Sequence, residues 1–112
     1  MQVPLEITGH HVTLNKNDEA LIAEKAKKLE RFYDRLTSCR VVIEGPGNHH
    51  RSGAPYTVRI HLGVPGSEIT IDRQKETELT ASIHAAFDAA RRKLQEFART
   101  RRGEGNRHKI EV

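Results

Sequence analysis

Between positions 56 and 62 the chain alternates without a break. Tyr56, Val58, Ile60 and Leu62 fall on one side of an extended backbone, and Thr57, Arg59 and His61 on the other. Successive strand side chains point to opposite faces, so this stretch belongs in a sheet with one face covered and one face wet. Such a sheet needs only one helical layer, which narrows the architecture to a two-layer α+β arrangement. Pro65-Gly66 follows at once and suits the centre of a type II turn. Residues 67–72 are then the hairpin partner, with Ile69 and Ile71 turned inward.

The rest of the chain supplies the missing pieces. Val3, Leu5 and Ile7 recur at period two opposite Glu6 and Thr8, and Pro4 marks an edge or a strand start. Residues 39–44 are rich in β-branched side chains and read as a second strand, with Cys39, Val41 and Ile43 on its core face. Over residues 18–36 a helical period gathers Leu21, Ile22, Leu29, Phe32, Tyr33 and Leu36 into one stripe, with Lys25 and Ala26 along it. Asn15 or Asn17 is available as its cap, and Asp18 and Glu19 suit the positive end of the dipole. A second helix starts near Glu76 or Thr77. Its apolar residues Leu79, Ile83, Phe87, Ala90, Leu94 and Phe97 recur every three or four positions, and Gly103 and Gly105 are expected to end it. Residues 45–53 hold three Gly, one Pro and no core residue, the composition of a mobile loop.

The expected order is β-α-β-β-β-α: a four-stranded mixed sheet with both helices packed, antiparallel to each other, on one face. The first two strands pair parallel through a right-handed crossover. Residues 1–102 form the domain, and residues 103–112 are expected to be a basic, disordered tail. At 112 residues, 36% apolar and 4% aromatic, there is material for one modest core but not for a large enclosed cavity as well. A small binding module is favoured over a self-contained enzyme, with no small-molecule substrate and no cofactor. No apolar run reaches the roughly 18–20 residues of a membrane span, and the N-terminus lacks the basic start and apolar stretch of a signal peptide. The single cysteine excludes an internal disulfide and fits a cytoplasmic setting.

The charge is lopsided. Residues 1–72 hold nine basic and nine acidic side chains, while residues 73–112 hold ten basic and six acidic, so the whole net charge of +4 lies in the last third. Lys25, Lys28, Arg31 and Arg35 run along the first helix, and Arg91, Arg92, Arg99 and Arg102 along the second. Two helices on one sheet face bring such bands to a shared groove, where they meet phosphates of a folded RNA. Guanidinium groups bind phosphate bidentately and stack on bases.

Other chemistries fit less well. Seven histidines include the adjacent pairs His10/His11 and His49/His50, but neighbours on an extended chain point apart and make a poor chelate. Cys39 alternates with core residues and lacks a catalytic signature. Gly45-Pro46-Gly47 is followed by no helix that would make it a phosphate loop. A free-standing double-stranded RNA-binding module is the main alternative, against which the absence of Lys or Arg from residues 77–90 counts.

Three motifs in order carry a resemblance. Leu5-Glu6-Ile7-Thr8-Gly9, the run Glu24-Lys25-Ala26-Lys27-Lys28-Leu29-Glu30-Arg31-Phe32-Tyr33-Asp34-Arg35-Leu36, and Glu78-Leu79-Thr80-Ala81-Ser82-Ile83 together resemble the ribosome hibernation promoting factor and ribosome-associated inhibitor family over about residues 3–100. The resemblance implies a cytoplasmic translation inhibitor of stress or stationary phase. Such a protein sits in the messenger RNA and transfer RNA channel of the small ribosomal subunit against its rRNA, acts without a chemical step and is monomeric off the ribosome. Lys25 and Lys28 fall on the family's two helix-one lysines and Arg92 on a helix-two arginine. Thr80, His84 and Ala89 stand where the family has tyrosine, an acid and lysine. The length implies the short form, without the long form's dimerisation domain.

Overall fold

The computed structural model describes residues 3–45, 55–76 and 78–111, with side chains described for residues 3–45, 55–72 and 78–100. Strands β1 (Leu5–His10), β2 (Ser38–Glu44), β3 (Tyr56–Val64) and β4 (Ser67–Glu76) lie side by side in that order, with helix α1 (Lys16–Phe32) after β1 and α2 (Leu79–Glu111) after β4. β1 and β2 are parallel and the other two pairs antiparallel, so the expected β-α-β-β-β-α mixed sheet is what the chain forms.

The registers explain the core. Leu5, Cys39, Leu62 and Ile69 form one cross-strand row, and Ile7, Val41, Ile60 and Ile71 the next. Ile22, Ala26 and Leu29 of α1 and Ile83, Ala86, Phe87, Ala90 and Leu94 of α2 close over these rows, each at most 4% exposed. The opposite sheet face carries Glu6, Arg40, His61 and Thr70 in register, the wet face that single-period alternation demands. Gly66 takes φ 75°, the left-handed conformation that the third position of a type II turn requires.

β3 continues up to the turn at Val64, paired with Ser67, and β4 continues to Glu76, because its pairing with β3 resumes past an irregularity between Val58 and Ile60. There Arg59 Nε reaches Asp72 Oδ1 at 2.8 Å.

Asn15 caps α1 through a capping box. Its Oδ1 accepts from the Asp18 amide at 2.8 Å, and its own amide donates to Asp18 Oδ2 at 3.1 Å. The helix stops at Phe32 rather than continuing to residue 36, as Tyr33 turns to extended backbone (φ −135°, ψ 104°). Leu36 is still buried, but from the turn into β2. Phe32 leaves the expected core stripe. Ile22, Ala26, Leu29 and Tyr33 follow one ridge, and Phe32 sits about 100° to its side, 43% exposed.

Two further expectations are corrected. The helices are parallel, because each runs back along the sheet against a strand of the same direction: α1 follows β1, and α2 follows β4, which points the same way as β1. Ring contacts agree, with Phe32 beside Arg91 and Tyr33 edge-on to Phe97 at 6.1 Å, so later residues of one helix meet later residues of the other. The α2 backbone also continues through Gly103 and Gly105 to Glu111 instead of ending at the first glycine. A helical glycine costs only about 1 kcal/mol relative to alanine, and Arg102 and Glu104 on either side of Gly103 are good helix formers. The side chains of that stretch, and the loop expected after Gly45, lie outside the described residues.

Candidate nucleic-acid interface

Helical spacing builds two facing ridges. Lys25, Lys28 and Phe32 recur at three and four residues along α1, and His84, Asp88 and Arg91 at four and three along α2. Since the helices run the same way, the ridges stay in step. They enclose an open groove of about 500 Å³ floored by Leu29 and Phe87, with Arg31 on its rim. Four cations (Lys25, Lys28, Arg31 and Arg91) therefore share this groove with one carboxylate, Asp88. The Arg91 guanidinium carbon lies 5.4 Å from the centre of the Phe32 ring, a cation–π contact that joins the two helices over the groove.

The remaining cations expected at the interface are distributed around it. Arg92 and Arg99 are exposed on α2 outside the groove lining, about 100° and 80° further round the helix than Arg91. Arg35 is exposed in the turn after α1. Arg102 lies on α2 with its side chain outside the described residues. Lys93 points the other way, its Nζ donating to the Thr70 carbonyl of β4 at 3.2 Å. Phe32, expected in the core stripe, lines the groove instead; its seven-residue spacing from Lys25 is the signal in the sequence.

Elsewhere the described side chains are structural or scattered. Cys39 is 1% exposed and burial pushes its thiol up to about 12, so it packs as a small apolar residue. Among the described residues no three His, Cys, Asp or Glu side chains are grouped to hold a metal ion; His49, His50 and the His108 side chain lie outside them. On the open sheet face, Asp72 hydrogen-bonds Arg59 and, with its charge, pushes that guanidinium further above its ordinary value. His61 Nδ1 is 3.5 Å from Thr70 Oγ1 and 3.9 Å from Glu68. Among the described residues no helix is long and apolar enough to cross a membrane.

The family model for sigma 54 modulation protein / S30EA ribosomal protein matches residues 5–102, from the first strand to α2. The chain belongs to this family. It is 27% identical over 94 residues to the ribosome hibernation promotion factor of Deinococcus radiodurans, and that alignment covers 82% of this chain and 47% of the relative. The chain thus spans about half the length of that curated relative. Among solved structures it is similar to a ribosomal subunit interface protein from Coxiella burnetii, with TM-score 0.74 and 14% identity over 86% of this chain and 98% of the other. The N-terminal domain of Thermus thermophilus Protein Y matches with TM-score 0.68 and 20% identity, over 87% and 99% of the two chains. At these identities the two structures bear on the fold alone, and they share the two-layer arrangement.

Proposed function

We propose that this chain is a ribosome hibernation factor. It binds the small ribosomal subunit through rRNA phosphates and silences translation by occupying the messenger RNA and transfer RNA channel, in the cytoplasm, as a monomer when free. The observation that carries this reading is the groove in which Lys25, Lys28, Arg31 and Arg91 converge from two helices with one acid among them. Closely set cations gain by releasing the counterions condensed on a polyphosphate, and a groove between parallel helices can follow a folded backbone. Arg92, Arg99 and Arg35 widen the positive field around it. Block by occupancy needs no nucleophile, and the one thiol is buried in the core.

The test is co-sedimentation with purified small subunits at two salt concentrations, with and without competing messenger RNA. Wild type should pellet with the subunits, less so at high salt and less so with messenger present. The variant Lys25→Glu, Lys28→Glu, Arg92→Glu should remain in the supernatant. Unchanged pelleting of that variant would remove the proposed surface. Equal affinity for an isolated RNA duplex in a gel shift would favour the free-standing duplex-binding module instead.

A further inference from the structure

Phosphate binding needs only cations, yet this groove holds an exposed aromatic ring. Phe32 is the one large hydrophobic side chain left exposed among the described residues, at 43%, and it lines the groove together with Lys25, Lys28, Arg31 and Arg91. Its ridge neighbours are Lys28 and Lys25, one and two turns back along α1. Arg91 reaches across from α2 to lie over its ring. An apolar side chain left in water among charges has no role in the core, which is already closed by Leu29 and Phe87 beneath it. A ring with a guanidinium against it, beside two ammonium groups, presents the two kinds of surface that one unpaired nucleotide offers: a π-face and a phosphate.

We propose that the Phe32–Arg91 pair is a stacking subsite for a single unpaired nucleobase of RNA, with Lys25 and Lys28 holding the adjoining phosphate. Every base has a π-face, so the subsite tolerates sequence but requires an unstacked base; a continuous duplex offers it none. The groove volume of about 500 Å³ suits one nucleotide and no longer stacked run. This inference rests on the RNA-binding reading above and adds a specific feature of the RNA to it.

The experiment uses the full chain with a single-stranded hexaribonucleotide carrying one 2-aminopurine, the same strand with an abasic site at that position, and the matching duplex. Wild type and Phe32→Tyr should quench the 2-aminopurine, whereas Phe32→Leu, which keeps the apolar bulk, should not. Phe32→Leu should also bind the single strand roughly 5- to 150-fold more weakly, the range for loss of one base–aromatic stack, with its salt dependence unaltered. The abasic strand should bind wild type and Phe32→Leu alike. Equal quenching and affinity for wild type and Phe32→Leu, or no binding of the strand at all, overturns the subsite. Competition by adenosine monophosphate at the strand's own concentration would make the ligand a free nucleotide and overturn the RNA assignment. Co-sedimentation separates the two levels. If Phe32→Leu pellets with small subunits as wild type does while the charge-reversed variant does not, the subsite falls and the electrostatic reading stands; if both pellet normally, both fall.

Discussion

The groove cations set a salt dependence that can be worked out beforehand. Each phosphate neutralised on a single strand contributes about 0.7 to the negative slope of log K against log salt. If Lys25, Lys28, Arg31 and Arg91 each meet one phosphate, the groove supplies a slope of about −2.8. Raising salt from 50 to 200 mM would then weaken that part of binding about 50-fold. Replacing Lys25, Lys28 and Arg91 by Gln leaves Arg31 alone, a slope contribution near −0.7 and a loss of about 2.5-fold over the same interval. These side chains lie at the surface, apart from the half-buried Lys25, so the fold should survive; the lost Arg91–Phe32 contact costs about 0.5–1 kcal/mol. Affinity for small subunits would be measured by fluorescence anisotropy at several salt concentrations, with a thermal melt as the folding control. The triple variant should give a line shallower by about 2 in slope that meets the wild-type line towards high salt. Parallel lines would refute the assignment, because loss of affinity without loss of slope means that the groove does not neutralise phosphate.

Three further outcomes follow from single residues. Asp88→Asn removes the groove's one carboxylate and should tighten RNA binding on the order of two- to fivefold at low salt, read from the same titration. Asn15→Ala removes the capping-box acceptor of α1 and should lower stability by about 1 kcal/mol in urea denaturation without changing the salt slope. Cys39 is raised from an ordinary 9.0 to about 12 by burial, so the folded state holds its proton where the unfolded state releases it. Its contribution is therefore complete below pH 9 and is lost as pH climbs towards 12, at up to about 1.4 kcal/mol per pH unit. Cys39→Ala should flatten that alkaline decline relative to wild type.

Period-two alternation at residues 56–62 was enough to give a one-sided sheet, and the registers put those same residues in the core rows. Alternation is visible locally because each strand residue reports its own face. Helix direction is not local. Whether α1 and α2 run together depends on the sense of β4, which is set by two reversals of the chain far from either helix. The Phe32 error has a similar origin. An aromatic beside an apolar stripe is ordinarily assigned to the core, and only the neighbouring helix decides whether its flank is covered. Gly103 and Gly105 looked like stop signals because glycine favours the end of a helix, but with no proline behind them nothing forces the backbone out of the helix. The candidate site was legible in parts: the α1 band and the α2 band were each apparent, while the pairing of Arg91, rather than Arg92, with the lysines required the structure.

Parallel packing also bears on why the cations are there. A helix C-terminus attracts positive charge through its dipole, which accounts for Arg31 in the last turn of α1. That effect fades within a turn, so it does not reach Lys25, and it cannot act on Arg91, which lies deep inside α2. Pairing along one helix is no better an explanation for the cluster, because the repulsion is between helices: like charges from α1 and α2 are held across a shared groove where, among the described residues, Asp88 is the one carboxylate to offset them. Such an arrangement costs the free protein stability through self-repulsion. Two parallel ridges of matching step keep that repulsion concentrated along one line, and in the proposed complex a polyanion lying along that line would turn the cost into binding energy.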